Sequence, residues 1–249
     1  MKVIAVYNVK GGVGKTATSV NIAYAASEQG FKILFIDLDP QGASTFYFKI
    51  KQGNKEKLKK TIFGKKSIED SIQETEFTNI HILPADSKYR KLDAFIADMK
   101  ESGKWLKKLL KPVKKEYDFI IIDCPPNITS LSENIFKNVD AILVPVVPTT
   151  LSVRTYKQLH AYFDDEKLDK KKLFPFYSMV ERKKNMHNEL MEEFSKQYPE
   201  CIEVAIPYSS IVEKMGEYLA PSVYKYPNEE TSEAFRTLWK KLKYKRCNL

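Results

Sequence analysis

The segment VKGGVGKTAT, residues 9–18, contains the residues whose types and spacing could do chemistry. It follows the phosphate-binding pattern G-x-x-x-x-G-K-[ST] closely, departing from it at the first glycine, and it stands between an apolar run and a helical pattern. Glycines in such a loop let backbone N–H groups turn towards a polyphosphate, and the following helix N-terminus adds its partial positive charge. Lys15 would then reach the β- and γ-phosphates, and the Thr16 hydroxyl would bind Mg²⁺. The predicted nucleotide-binding residues of this loop are Gly11, Gly12, Val13, Gly14, Lys15, Thr16 and Ala17.

Lys10 makes the loop more specific, because KGGVGKT resembles the deviant Walker A loop of the ParA/MinD ATPases. In that family this lysine reaches across an ATP-bound dimer to the partner's nucleotide, so the resemblance implies a catalytic role for Lys10 beside Lys15. Two further blocks keep the family's order and approximate spacing. Residues 37–42, DLDPQG, resemble its switch I segment, and residues 120–126, IIIDCPP, resemble its Walker B strand and switch II. The resemblance is weakest between residues 48 and 115.

Three aspartates follow apolar runs, where ligands of open α/β sheets are expected to bind. Asp37 and Asp39 are one residue apart on an extended segment, so they point to opposite sides and should have different functions. The resemblance implies that Asp39 is catalytic, placing the attacking water near the γ-phosphate, and that Asp37 lies close to the Mg²⁺ shell; a turn-forming D-x-D-P pair is the alternative. Asp123 would hold Mg²⁺ as in other P-loop proteins, usually through a water. The predicted metal residues are Thr16, Asp37 and Asp123.

Short apolar runs alternate with helical patterns along the whole chain. This pattern and the loop predict an α/β P-loop NTPase fold, with a mostly parallel twisted sheet and helices on both faces, as one domain over residues 1–249. The predicted strands lie near residues 2–7, 33–36, 79–83, 117–122, 141–147, 173–179 and 204–207. The predicted helices lie near residues 14–29, 88–99, 104–115, 151–163, 186–198 and 228–245. By resemblance, the turn after Pro207 lines the adenine.

Composition narrows the class of protein. With 43% apolar and 29% charged residues the chain is typical of a globular domain, and no apolar run approaches the roughly 20 residues that span a bilayer. The three cysteines are widely separated, so neither a disulfide framework nor a zinc site is expected; with no secretory signal at the N-terminus, we expect a cytoplasmic protein. The net charge of +9 favours a polyanionic partner, nucleic acid or an anionic membrane, without deciding between them or excluding a role in solubility alone.

Two basic segments bear on that choice. Residues 49–66 are rich in lysine and read as an exposed insertion or a solvated helix, with a DNA-facing surface as the alternative. Residues 228–245 read as an amphipathic helix with acids first and bases last. That helix could insert into a membrane, as in the MinD branch, or dock on the protein body, which its acidic first half favours.

If the helix of residues 228–245 docks on the protein body, its lysines stay on the surface, where they could contact DNA phosphates. In the loop near residue 181, Glu181 and Lys183 stand where the ParA pattern has an aspartate and an arginine, and lysine cannot fork onto a phosphate as arginine does. The predicted DNA-binding residues are Lys183, Lys184, Lys240 and Lys243.

Together the resemblance and the charge predict a ParA-like ATPase that dimerises on binding ATP and Mg²⁺, binds non-specific DNA, and positions a plasmid, a chromosome region or a protein cargo. The resemblance also implies that hydrolysis is slow and is stimulated by a ParB-like or other adaptor, and that the protein is cytoplasmic and associated with the nucleoid. With the loop starting at residue 9, no helix-turn-helix region is expected before it.

Three other classes of P-loop protein are alternatives to this function. A MinD-like membrane-positioning ATPase shares the nucleotide chemistry. A bacterial tyrosine kinase shares the loop, but residues 39–41 resemble ParA better. An iron–sulfur reductase would need bridging cysteines, and Cys124 alone is not enough. The tyrosines that suggest a kinase are Tyr208, Tyr218, Tyr224, Tyr226 and Tyr244.

Overall fold

The computed structural model describes residues 1–50 and 60–247, which form one central β-sheet covered by helices. The strand order is β3-β4-β2-β5-β1-β6-β7-β8, and every pair is parallel except the antiparallel pair β3 and β4. The strands are β1 Lys2–Val6, β2 Ile33–Asp37, β3 Gln73–Glu74, β4 Ile80–Leu83, β5 Phe119–Asp123, β6 Ala141–Val146, β7 Leu173–Val180 and β8 Ile202–Pro207.

Helices cover both faces of the sheet, and each face has its own apolar core. One core contains residues of α3 to α7, and the other contains residues of α1, α9, α10 and α11. The predicted fold is therefore confirmed. The helices are α1 Lys15–Ser27, α2 Ala43–Tyr47, α3 Leu92–Ala97, α4 Trp105–Leu110, α5 Ser130–Asn138, α6 Thr150–Asp165, α7 Asn185–Gln197, α8 Ser210–Glu213, α9 Met215–Tyr218, α10 Ser222–Lys225 and α11 Glu230–Cys247.

The inner strands are buried on both sides, which explains their continuous apolar sequences. Every residue of β2 and of β5 is buried, including the aspartate that ends each strand. Parallel strands with helices on both faces have no solvent side on which alternating polar residues could lie. The carboxyl ends of β1, β2 and β5 meet at one edge, so the segments that follow these strands lie side by side.

Some predicted bounds were wrong. The helix predicted near 104–115 ends at Leu110: Lys111 still has helical dihedral angles, but Pro112 has no backbone N–H with which to continue the hydrogen-bond ladder. The helix predicted near 88–99 is a 3₁₀ turn, Ser87–Lys91, followed by α3. Within the basic segment 49–66, residues 51–59 lie outside the described residues, and residues 60–62 are helical.

The closing helix docks on the protein body, as predicted. Phe235, Leu238, Trp239 and Leu242 of α11 are buried in the core that contains α1. On the rim of that contact the Arg236 guanidinium donates to both carboxylate oxygens of Glu28 at 2.8 and 3.0 Å. No helix in residues 1–50 or 60–247 has the length and apolarity to cross a membrane.

Candidate functional site

The glycine-rich loop connects β1 to α1 at the carboxyl edge of the sheet and is fastened to β7. Gly12 and Gly14 have φ values of 69° and 90°, a backbone conformation that side chains disfavour. A Cβ atom on Gly14 would lie 2.9 Å from Ser178 Oγ. The same Ser178 hydroxyl donates to the Val13 carbonyl oxygen at 2.9 Å. A glycine is therefore required at position 14 for two reasons: its left-handed φ, and the close approach of Ser178 on β7.

Hydrogen bonds made by Asn8, Lys10 and Lys15 fix the conformation of the loop. Asn8 Nδ2 donates to the Pro145 carbonyl oxygen at 2.8 Å, and its Oδ1 accepts from the Lys10 backbone N–H at 2.9 Å. Lys15 Nζ donates to the Lys10 carbonyl oxygen at 3.0 Å. Burial lowers the pKa of Lys15, and the nearby Asp123 carboxylate opposes that effect. The loop thus points a buried ammonium group at its own interior.

The loop and the N-terminus of α1 line a cavity of about 350 Å³. Gly11 and Gly12 are exposed to it, with no other heavy atom within 4 Å of an added Cβ. Thr16, Ala17 and Asp39 line it too. A helix N-terminus beside exposed loop backbone and a lysine is an anion-binding arrangement suited to a polyphosphate.

Asp37 is buried at the end of β2 and organises the segment after it. Burial raises its pKa, and the Asp123 carboxylate raises it further. Its Oδ2 accepts from the Thr45 backbone N–H at 2.9 Å and from the Thr45 hydroxyl at 2.8 Å, while Oδ1 accepts from the Asp39 backbone N–H at 3.2 Å. Three protein donors therefore engage this carboxylate, which fixes α2 and the turn that carries Asp39.

Asp123 ends β5 directly opposite Asp37 in the sheet. Burial raises its pKa, whereas the hydroxyl groups of Ser44 and Thr16 beside it lower the pKa. The Ser44 hydroxyl donates to Oδ2 at 2.5 Å. Oδ1 is buried and has no hydrogen-bond partner among the described residues. This oxygen is the site's unused acceptor.

The oxygen atoms of Asp123 and Thr16 fit a hard divalent cation. Residues 1–50 and 60–247 contain no group of three His, Cys, Asp or Glu side chains that could hold a metal ion. A cation here would therefore take its other ligands from a bound phosphate and water. That ligand set is typical of Mg²⁺, which keeps much of its hydration shell.

Asp39 lies half-buried on the wall of the cavity, apart from the buried pair. Its Oδ1 accepts from the Gln41 backbone N–H at 2.9 Å, so a tight turn orients the carboxylate. The two aspartates of the D-x-D segment thus have different surroundings, as their alternation on an extended segment predicts.

The other end of the cavity is lined by the segments that follow β7 and β8. Pro207 is there, together with Met179, Tyr208 and Glu213. The Tyr208 hydroxyl donates to Glu213 Oε1 and so joins the end of β8 to α8. Met179 has a left-handed φ of 54°, next to an irregularity in the pairing of β7 with β8. A mixed apolar and polar wall of this kind can receive a flat base.

The predicted DNA-binding lysines fall into two groups. Lys183 and Lys184 are exposed in the loop after β7, and Lys184 Nζ pairs with Glu181 at 2.5 Å. Lys240 is exposed and Lys243 half-buried on α11, where Lys243 Nζ donates to Gln29 Oε1 at 3.0 Å.

The structure does not bring these two groups together within one chain. Helix α11 begins beside the β7 loop, where Arg182 pairs with Glu230 at 3.1 Å. It ends near the start of β8, where Lys245 Nζ donates to the Cys201 carbonyl oxygen at 3.0 Å. The helix therefore runs from the carboxyl edge of the sheet to its amino edge, and the later lysines lie far from the first two.

Several residues of the site were missed by the sequence analysis. Ser44 and Thr45 are the hydroxyl partners of the two buried aspartates, and Ser178 holds the loop. Ser44 and Thr45 stand just after the DLDPQG block, so their position was a usable signal. Ser178 and Tyr208 belong to strand ends far along the chain, and no local pattern marks them.

Comparisons with known proteins identify a family and a fold. Residues 1–174 match a family model, AAA_31, described as an AAA domain. The sporulation initiation inhibitor protein Soj of Bacillus subtilis is 27% identical over 97% of this chain and 98% of its own length. A variant of McdA from Cyanothece in complex with ATP has a similar fold, with a TM-score of 0.81, 21% identity and coverage of 98% and 96% of the two chains. Cobyrinic acid a,c-diamide synthase from Mycobacterium smegmatis, solved with an ATP analogue and magnesium, has a TM-score of 0.78, 24% identity and coverage of 98% and 95%.

Proposed function

The chain belongs to the AAA domain family, in its ParA/MinD branch, and we propose that it is an ATPase whose dimerisation is controlled by ATP and Mg²⁺. As a dimer it binds DNA of any sequence, and it uses that binding to position a plasmid, a chromosome region or a protein cargo. Hydrolysis is slow and is stimulated by a ParB-like or other adaptor. The protein works on the nucleoid in the cytoplasm.

The observation that carries the proposal is the buried Lys15 ammonium beside an unpartnered oxygen of Asp123, at the base of the loop. Lys15 binds the β- and γ-phosphates in place of the Lys10 carbonyl oxygen that it contacts here. Thr16 and Asp123 would hold Mg²⁺, and Asp37, which lies opposite Asp123, would support that site. Mg²⁺, when bound, supplies positive charge that offsets the charge of the phosphates. Pro207 lines the base.

Lys10 is suited to act on a second subunit. Its backbone is fixed by Asn8 and Lys15, yet its side chain is exposed and makes no hydrogen bond or ion pair with the described residues. Because the backbone is already fixed, only the side chain of Lys10 loses conformational freedom when its ammonium group binds a phosphate outside its own chain. We infer that Lys10 binds the partner's nucleotide.

The edge of the sheet around the site also carries several large exposed apolar side chains. Five of the large apolar side chains that are exposed lie in segments that follow the carboxyl ends of parallel strands, and their exposed fractions range from 37% to 65%. Exposed apolar groups gathered at one edge are typical of a protein interface. They support a dimer that closes face to face over two nucleotides. These residues are Phe46, Ile128, Leu151, Met186 and Tyr208.

Asp39 is placed to act in hydrolysis. It faces the cavity while its Oδ1 is oriented by the Gln41 N–H, so it can position a water for attack on the γ-phosphate. Loss of the γ-phosphate removes the contact that Lys10 makes across the dimer. The subunits then separate, and because each had contributed phosphate contacts, the DNA is released.

Lys183, Lys184, Lys240 and Lys243 remain candidates for those phosphate contacts. Because the two pairs lie towards opposite edges of the sheet, they would contact DNA at separate places. The buried apolar stripe of α11 supports the DNA function over a membrane function, since a docked stripe is not available to lipid.

The test is binding of an unrelated DNA duplex with ATP, with ADP and without nucleotide, across a salt series. We expect binding with ATP that weakens steeply as salt rises, and little binding with ADP. The same protein is mixed with anionic liposomes as a parallel assay. Liposome binding without DNA binding would overturn the proposal in favour of membrane positioning, and binding to neither would remove the positioning function.

A further inference from the structure

We propose that a surface outside the candidate site, the lysine face of residues 104–115, binds the phosphate backbone of duplex DNA. All six lysines of this segment are exposed, and the segment contains no aspartate or glutamate. The proposal rests on the proposed DNA-binding function and names the surface that carries it. The lysine face consists of Lys104, Lys107, Lys108, Lys111, Lys114 and Lys115.

The lysine face is held outward by a buried apolar side. Trp105, Leu106, Leu110 and Val113 belong to the same core as α5. Trp105 Nε1 donates to the Ile62 carbonyl oxygen at 3.1 Å, which fixes the rotation of α4. Because the apolar positions are occupied in this way, every lysine of the segment is directed to solvent.

The helix is also tied to its neighbour through hydrogen bonds. The Leu106 backbone N–H donates to Asn134 Oδ1 at 2.9 Å, and Asn138 Nδ2 donates to the Gly103 carbonyl oxygen at 2.8 Å. Asn134 Nδ2 donates to the Ser102 carbonyl oxygen. The docked backbone fixes the positions from which the lysines extend before a ligand arrives, so only their side chains lose freedom on binding.

Most of this charge is not compensated within the described part of the chain. Lys104 and Lys108 both pair with Glu101, each at 2.6 Å. The other four, Lys107, Lys111, Lys114 and Lys115, make no ion pair with residues 1–50 or 60–247. Like charges packed this closely repel one another, and a polyanion relieves that repulsion.

The chemistry of the lysine face favours DNA over a membrane or a protein. None of the large exposed apolar side chains of the described residues lies between residues 100 and 118, so the face has no group to insert into lipid and no apolar anchor for a protein partner. Lysines four residues apart on a helix are separated by roughly 6 Å. Each strand of DNA carries a phosphate about every 3.4 Å along its axis, so neighbouring lysines can each contact a different phosphate. Lysine is a point charge, and its contacts with phosphates carry no sequence information, which suits binding of any sequence.

The test compares two variants of the full chain with equal net charge. In one, K107Q and K111Q remove two unpaired charges from the lysine face. In the matched control, K157Q and K225Q remove two exposed lysines from α6 and α10. Thermal unfolding of both variants checks that the fold is intact, and binding to an unrelated duplex with ATP is measured across a salt series.

We expect the lysine-face variant to bind at least about tenfold more weakly, with the slope of log affinity against log salt reduced by roughly two per chain, since each phosphate contact contributes about 0.9. The control should bind as the wild type does. Equal loss in both variants would mean that overall net charge, and not this face, attracts DNA. Wild-type affinity and slope in K107Q/K111Q would overturn the inference while leaving the proposed function standing. A wild-type protein that binds no DNA in any nucleotide state would overturn both. If K107Q/K111Q lost binding to anionic vesicles while its DNA binding stayed unchanged, the inference would be overturned and the proposed function would stand.

Discussion

Asp37 and Asp123 lie directly opposite each other at the ends of neighbouring parallel strands, and consecutive residues of α2 contact them. Thr45 donates to Asp37, and Ser44 donates to Asp123. The next residue, Phe46, is 55% exposed at the proposed dimer edge. A change in the hydrogen bonding of Asp123 can therefore move a helix that carries an interface residue, which is a short physical route from nucleotide state to dimer contact.

Asp123→Asn should weaken nucleotide binding in the presence of magnesium by tenfold or more. The substitution keeps the shape of the side chain but replaces one carboxylate oxygen with an NH₂ donor. Of the oxygen atoms of Thr16 and Asp123 that would bind the ion, the negatively charged ones are then lost. Titration with ATP, with magnesium and with excess chelator, is the measurement. With magnesium present, the variant should bind ATP more weakly than wild type, and in excess chelator the two affinities for ATP should be the same. Equal affinities with magnesium present would show that Asp123 does not hold the ion.

Gly14→Ala should destabilise the protein even without nucleotide. A φ of 90° is strained for alanine, and the new Cβ would meet Ser178 Oγ at 2.9 Å. We expect a loss of about 1–3 kcal/mol, read from chemical unfolding. Gly103→Ala is the control, since that glycine has open space around it. Gly14→Ala should cost less in a Ser178→Ala background than in wild type, since the Ser178 hydroxyl also donates to Val13 and its own loss must be subtracted. An equal cost of Gly14→Ala in both backgrounds would mean that the approach of β7 is not the cause.

Asp39→Ala should bind ATP and dimerise, yet hydrolyse ATP at least about 100-fold more slowly, because the water would no longer be oriented. The variant should remain on DNA after excess competitor DNA is added, while wild type dissociates as ATP is consumed. Release at the wild-type rate would show that Asp39 is not needed for hydrolysis. Asp165→Ala, at the exposed end of α6 and away from the cavity, is a control for the loss of one carboxylate.

Leu151→Glu should prevent dimerisation without affecting ATP binding. Leu151 is 65% exposed at the start of α6, so the substitution has little to disturb within the chain. Burying a carboxylate in the dimer should cost about 2 kcal/mol or more, at least about thirtyfold in dimer affinity. Tyr244→Glu is the matched control, because Tyr244 is 81% exposed on α11, far from that edge. Mass photometry with ATP separates the two, and a dimer of wild-type affinity in Leu151→Glu would place the interface elsewhere.

The sequence predicted the fold and the loop well because both depend on local patterns. Buried parallel strands read as continuous apolar runs, and Lys15, Thr16 and Asp123 stand at fixed places relative to those runs. The predicted docking of the closing helix was also confirmed, since its stripe has helical spacing.

What the sequence did not reveal depends on contacts between distant segments. Ser178 reaches the loop from 165 positions away, and Tyr208 meets the cavity through the arrangement of β8. The separation of Lys183 from Lys243 follows from the direction of α11, which charge patterns do not report. The sequence predicted a helix near residues 104–115, but which of its sides faces outward depends on the burial of Trp105 and Leu110 against distant segments.

The most direct test of the account is the mass of the protein in solution with ATP and magnesium, for wild type and for Lys10→Ala. Lys10→Ala should bind ATP as wild type does, because the side chain of Lys10 makes no hydrogen bond or ion pair with residues 1–50 or 60–247. We expect wild type to be a dimer with ATP and a monomer with ADP, and Lys10→Ala to be a monomer with both. A Lys10→Ala protein that dimerises with ATP and hydrolyses it at the wild-type rate would contradict the central claim that this lysine joins the two subunits through the nucleotide.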